Sequence, residues 1–171
     1  MFAVTAFASA IVSVVATGPL LNWPSVRSTD GGFQVQMPGP VDESVECVET
    51  EMATLTQHSF TCSSGQALWR VSYVDLPRSV LQSQTPDEVL QSAQLGSRTS
   101  PRMEVFSESV TNSAVSPTRR FRTVVPNGPV VSHLLVLKSA RLYHLMVVCP
   151  PDRFRRVGTR GFFESFTLDP R

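Results

Sequence analysis

Two stretches of this sequence, Val130–Leu137 and Leu142–Cys149, are apolar at most positions and are separated only by Lys138-Ser139-Ala140-Arg141. Eight-residue apolar runs flanked by polar turn residues read as strands, and four residues between them make a hairpin. A strand that is apolar on both faces must be covered on both faces, which places this hairpin at the centre of a sheet. The helices of the chain are expected to cover one or both faces of that sheet.

Most of what precedes the hairpin also alternates with a period of two, as strands with one buried face do. Phe33-Gln34-Val35-Gln36-Met37 alternates cleanly and stops at Pro38-Gly39-Pro40. Residues 41–50 and 54–62 form a polar, half-exposed hairpin. Ala67–Leu76 puts Trp69, Val71 and Tyr73 on one face before Pro77 ends it. Residues 103–110 and 119–125 read as two further strands around a polar turn.

The clearest helix starts at Thr85, an N-cap, with Pro86 in the first position and Asp87 and Glu88 complementing the dipole. Val89, Leu90 and Ala93 form its apolar stripe, and Gly96 stops it. A last helix is expected from Asp152 to about Phe163, with Phe154, Val157, Gly161 and Phe162 on one side. Phe162, Phe163 and Phe166 then anchor the carboxyl terminus, each contributing roughly 1.5–3 kcal/mol when buried. The fold class is therefore α+β: a mostly antiparallel sheet of about seven strands with two main helices packed on it, plus an N-terminal apolar helix.

That N-terminal helix follows from Phe2–Leu21, which holds no charged residue. Twenty helical residues cover about 30 Å, the thickness of a bilayer core. Residues 1–17 read as a signal peptide, with Val14-Val15-Ala16 as a cleavage site, or as an uncleaved membrane anchor. A buried element of the domain is the remaining option. Residues 18–32, with three glycines and two prolines, read as a linker, and 33–171 as a single domain. The expected location is outside the cytoplasm, in a periplasm or at the cell surface, either exported or membrane-anchored.

Charge is unevenly placed although the net is only +1. Residues 1–110 carry five basic and eleven acidic side chains, residues 111–171 ten basic and three acidic. The acidic cluster is Asp42, Glu43, Glu46, Glu49 and Glu51; the basic one is Arg119, Arg120, Arg122, Arg153, Arg155, Arg156 and Arg160. The two are expected to meet as attracting faces, each pair contributing under about 1 kcal/mol; the other reading is a basic surface for an anionic partner or lipid headgroup. No aromatic–arginine alternation suggests base stacking, so no nucleic-acid partner is expected.

Chemistry-bearing motifs are missing. The sequence has no G-x-G-x-x-G, G-x-x-x-x-G-K-[ST], H-E-x-x-H or G-x-S-x-G, so neither a phosphate cradle nor a nucleophile elbow is indicated. His58 and Cys62 share a strand face but lie about 13 Å apart, too far for one metal. His133 and His144 sit on hairpin-paired strands and could share an ion, yet two ligands make no competent site. Cys149 falls on the other face. Ser64 near His58 reads as an ordinary turn, and Asp75 beside Arg70 and Arg78 as an ion pair or turn cap. The three cysteines are expected as separate buried thiols. No catalytic residue, metal or cofactor is assigned.

Four stretches occur together in order: Gly32–Pro40, Trp69–Pro77, Arg141–Val148 and Phe162–Leu168. With that order and spacing the chain resembles small bacterial envelope domains of unknown function, similar to the PsbP/Mog1-like α/β sandwich. The resemblance spans about residues 23–168. It implies the sandwich fold and a role without catalysis, since members of that wider fold act as assembly factors, transport accessories and lipoproteins. The functional expectation is a non-catalytic exported or tethered domain that binds or helps assemble another envelope protein. The alternative is a small-ligand or lipid-binding domain with a pocket between sheet and helices, lined by Trp69, Tyr73, Phe106 and Tyr143.

Overall fold

The computed structural model describes residues 22–50, 53–97, 104–111, 116–124, 126–155 and 157–169. Residues 1–17, with their expected apolar helix, lie outside that range. No helix among the described residues is long and apolar enough to cross a membrane.

Seven strands build one antiparallel sheet: β3 (Asp42–Glu49), β4 (Thr54–Ser64), β5 (Ala67–Asp75), β6 (Glu104–Thr111), β7 (Thr118–Val124), β8 (Val130–Lys138) and β9 (Arg141–Cys149). Their spatial order is β3-β4-β5-β9-β8-β7-β6. Two meanders, β3–β5 and β6–β9, thus meet along the β5–β9 pair, and the apolar β8–β9 hairpin sits mid-sheet as its composition requires. Every ladder is antiparallel, so β5 and β6, four places apart, run in the same direction, and the long connection between them through α1 and α2 is the crossover of the sheet.

One face is covered by a second, three-stranded sheet of β1 (Ser25–Ser28), β2 (Phe33–Gln36) and β10 (Thr167–Leu168), together with α3 (Thr159–Ser165). Phe33, Val35 and Met37 are fully buried against Trp69, Val71, Tyr143, Leu145, Val147 and Phe162. The opposite face carries α1 (Arg78–Ser83) and α2 (Pro86–Gly96), whose Val80, Val89 and Leu90 pack on Phe121, Leu135 and Leu137. The α2 start is a capping box: the Thr85 side chain accepts from the Glu88 N–H, and the Glu88 carboxylate accepts from the Thr85 N–H at 2.7 Å. The Thr85 N–H and the Thr85 hydroxyl, which donates to the same carboxylate at 2.8 Å, hold the Glu88 carboxyl below the usual carboxylate range.

Four expectations are corrected. Residues 25–28 of the proposed linker are strand β1, and Gly31 donates to Ser28 Oγ at 2.9 Å in a turn; Ser, Asp and Gly serve fixed turns as readily as loose linkers. The last helix begins at Thr159 rather than near Asp152, because Gly158 adopts φ 71°, which a right-handed helix cannot continue through. Helix α1 was not foreseen: six residues with no side-chain cap and no acid in the first turn leave little local trace. The acids of β3 do not meet the arginines of β7; Glu51 and Arg156 lie outside the described residues. β3 is an outer strand, whereas Arg119, Arg120 and Arg122 are on β7 with four strands between, roughly 24 Å away. Arg120 and Arg122 instead lie over the rings of Phe163 and Phe154.

Candidate functional site

A row of polar side chains crosses the face of the sheet that carries α1 and α2. Ser44, Ser59, Ser72 and His144 are direct register partners on β3, β4, β5 and β9. The row continues to His133 on β8, one diagonal step from His144, and to Thr123 on β7. Ser59, Ser72, Thr123 and His133 are buried. A buried polar row on a sheet face requires partners, since each unsatisfied group costs about 1–3 kcal/mol.

Ser59 Oγ accepts from Gln57 Nε2 at 3.2 Å and Ser72 Oγ donates to the His144 carbonyl at 3.4 Å, while at the other end of the row the histidines partner Thr123 and each other. His133 Nε2 lies 3.0 Å from Thr123 Oγ1, and His133 Nδ1 lies 2.9 Å from His144 Nε2. The His133 ring also stacks on Phe121 with centroids 4.4 Å apart. Burial pushes His133 down to about 3, with His144 adding to the effect, and pushes His144 down to about 4, with the Arg70 charge adding. Both rings are neutral at pH 7. An N···N hydrogen bond between neutral imidazoles takes one donor and one acceptor, so a consistent chain from Thr123 to His144 exists in two forms. In one, each proton points toward His144 and leaves its Nδ1 a donor; in the other, each points toward Thr123 and leaves Nδ1 an acceptor.

The sequence pairs these two histidines as possible ligands of one ion, and the diagonal register does bring them together. The lone pair that would bind the ion is used in their mutual hydrogen bond instead. Cys149 is on the opposite face. No group of three or more His, Cys, Asp or Glu side chains suited to a metal exists among the described residues.

Beside His144 the sheet and α2 do not close on each other. They leave a half-open cavity of about 800 Å³, bordered on the sheet side by Ser72, Leu135 and His144 and on the helix side by Gln84, Val89, Ser92 and Ala93. Leu95 is 55% exposed at its mouth. Glu49 is the one charged residue along its wall among the described residues.

A space between sheet and helices was expected from sequence, but with another lining. Trp69, Tyr73 and Tyr143 are each 4% exposed and belong to the core on the opposite face. The structure gathers the tyrosines around Phe33, with Tyr73 and Tyr143 centroids 6.2 Å apart, and Trp69 against Trp23 at 5.6 Å. The Tyr143 hydroxyl donates to the Gly31 carbonyl at 2.8 Å. Of the three described, Tyr73 also borders the large cavity, while Tyr143 borders a smaller polar recess of about 220 Å³. The Phe106 side chain lies outside the described residues. The signal that separates core from cavity is parity: His144 is one residue from Tyr143 and therefore faces the other way.

The remaining candidates are structural. His58 stacks on Tyr73 at 4.7 Å, and Asp75 forms a two-pronged pair with Arg141 at 2.6 and 2.7 Å rather than with Arg70 or Arg78. Cys62 and Cys149 are buried free thiols, but Cys47 is exposed on β3, correcting the expectation of three buried ones.

No family model matches the sequence, and no curated protein matches it. Among solved structures it is similar to the solution structure of cyanobacterial PsbP (CyanoP) from Synechocystis sp. PCC 6803. The two share a TM-score of 0.55 and 14% identity over 85% of this chain and 91% of that one. At that identity the likeness is one of architecture: this chain is a PsbP-like α+β sandwich.

Proposed function

We propose that this chain is a non-catalytic, exported or membrane-tethered domain that binds, or helps assemble, another protein of the cell envelope. Its PsbP-like fold and the membrane-length apolar start of its sequence support that reading. The observation that carries it is the outer edge of the large sheet. β3 hydrogen-bonds to β4 alone among the described strands, and seven of its eight residues are exposed. Val45 is 62% exposed there. An edge strand presents a row of backbone donors and acceptors that an extended segment of a partner can continue. Asp42, Glu43, Glu46 and Glu49 on that strand repel a second copy and favour a basic segment.

Photo-crosslinking from position 45 of the full chain in its own host tests this. The expected result is a discrete protein adduct in the envelope fraction that disappears on charge reversal by Glu43→Arg and Glu46→Arg. Adducts that are diffuse or indifferent to that reversal, or a full chain found in the cytoplasm with Met1 intact, would overturn it.

A further inference from the structure

We propose that the cavity between α2 and the sheet binds an uncharged amphiphilic small molecule, its hydroxyl or carbonyl group held by His144 and its apolar body lying along α2. The cavity takes a different class of ligand from the edge strand, so either reading stands without the other, although β3 contributes Glu49 to both.

A space of about 800 Å³ lies within the range of pockets that take organic ligands. Its lining mixes polar and apolar groups on both sides: Gln84 and Ser92 beside Ala93 and Leu95 on the helix side, and Ser72 and His144 beside Leu135 on the sheet side. A ligand that satisfies this lining has a polar group and an apolar body.

A hydrogen-bond chain stands behind His144. The His144 Nε2 is engaged by His133, which is itself held by Thr123 and stacked on Phe121. The ring is thereby fixed before any ligand arrives, which reduces the entropy lost on binding. His144 borders the cavity, and its Nδ1 has no hydrogen-bond partner among the described residues. Because the chain is consistent in two forms, Nδ1 can donate to a carbonyl or accept from a hydroxyl.

Burial keeps both imidazoles neutral, so they supply no fixed cation for an anionic head. Arg70, whose charge acts on His144, directs its Nε to Thr61 Oγ1 at 3.2 Å and does not border the cavity. The Glu49 carboxylate opposes an anion at the wall. An alcohol or ketone fits these walls better than a carboxylate of the same length.

The test titrates the full chain with 1-decanol, decanoate or decane and follows the imidazole nitrogens by NMR. Decanol is expected to shift the His144 and His133 signals together, with at least tenfold tighter binding than decanoate or decane. His144→Leu should weaken decanol binding at least tenfold. Ala93→Trp fills the space from the helix side and should abolish binding while leaving amide signals of the β1–β2–β10 layer in place. That variant keeps the test valid should His144→Leu fail to fold. Decanol that partitions onto the chain without moving the histidine signals would overturn the proposal, as would tighter binding of decanoate or unchanged affinity in both variants.

Discussion

His133 Nδ1 and His144 Nε2 meet at 2.9 Å across the β8–β9 hairpin, and the far nitrogen of His133 is held by Thr123. A hydrogen bond between two imidazoles survives only while at least one of the facing nitrogens is unprotonated. The chain of contacts thus depends on pH in a definable way.

In the unfolded chain both histidines titrate near 6.5; folded, they titrate at about 3 and about 4. Between those limits the unfolded chain binds more protons, so stability rises with pH. The urea midpoint is expected to be flat from pH 8 to 7 and to fall steadily from about 6.5 toward 4.5. A double variant, His133→Gln with His144→Gln, should lose that slope. A wild-type midpoint that climbs on acidification to pH 5 contradicts the arrangement.

Arg119 fastens α2 to the sheet. Its side chain is 9% exposed and donates to Gln94 Oε1 at 2.7 Å and to Asp87 Oδ1 at 2.9 Å. Asp87 is half-exposed, so the ion pair itself is worth little; the larger effect of removing Arg119 is a buried Gln94 amide left without its donor. Arg119→Met is expected to cost roughly 1–3 kcal/mol in urea unfolding, whereas Asp87→Asn should cost under about 1 kcal/mol.

Gly31 sits where the β1–β2 turn meets the core. A Cβ there would lie 2.6 Å from Phe33 Cε1 and 2.7 Å from Ser28 Oγ. Phe33 is fully buried and cannot swing aside. Gly31→Ala should destabilise by roughly 1–3 kcal/mol through overpacking. Tyr143→Phe, which removes the donor to the Gly31 carbonyl, should cost about 1 kcal/mol in the same assay.

The thiols differ in access. Cys47 is exposed, while burial pushes the Cys62 and Cys149 thiols up. A thiol reagent at pH 8 should modify one cysteine quickly in the native chain and the other two only on unfolding. Rapid modification of all three would show the core to be open.

Much of the architecture is legible locally. The β8–β9 hairpin follows from two apolar runs and a four-residue turn, and α2 from Thr85, Pro86 and its Val89–Leu90–Ala93 stripe. Period two also places Trp69, Val71 and Tyr73 on one buried face. What escaped the sequence lacks such a local sign. Helix α1 has no cap, the Ser25–Ser28 strand is disguised by turn-forming neighbours, and Gly158 reads as a weak helical residue until its φ is known. The candidate site was half visible: His133 and His144 could be paired by their hairpin, but as ligands of an ion rather than of each other.

Alternation along the chain marks the strands of the large sheet and the apolar face of each, because it is a property of single strands. Which meander lies beside which is settled by long-range packing alone. Ser59 meets Ser72 through a short turn, but Ser72 meets His144 because the second meander returns to lie against β5, across 72 positions of chain. That pairing sets the polar row, the buried histidine chain and the cavity beside it, and no local pattern encodes it, since it depends on the burial of two meanders against each other and not on either alone.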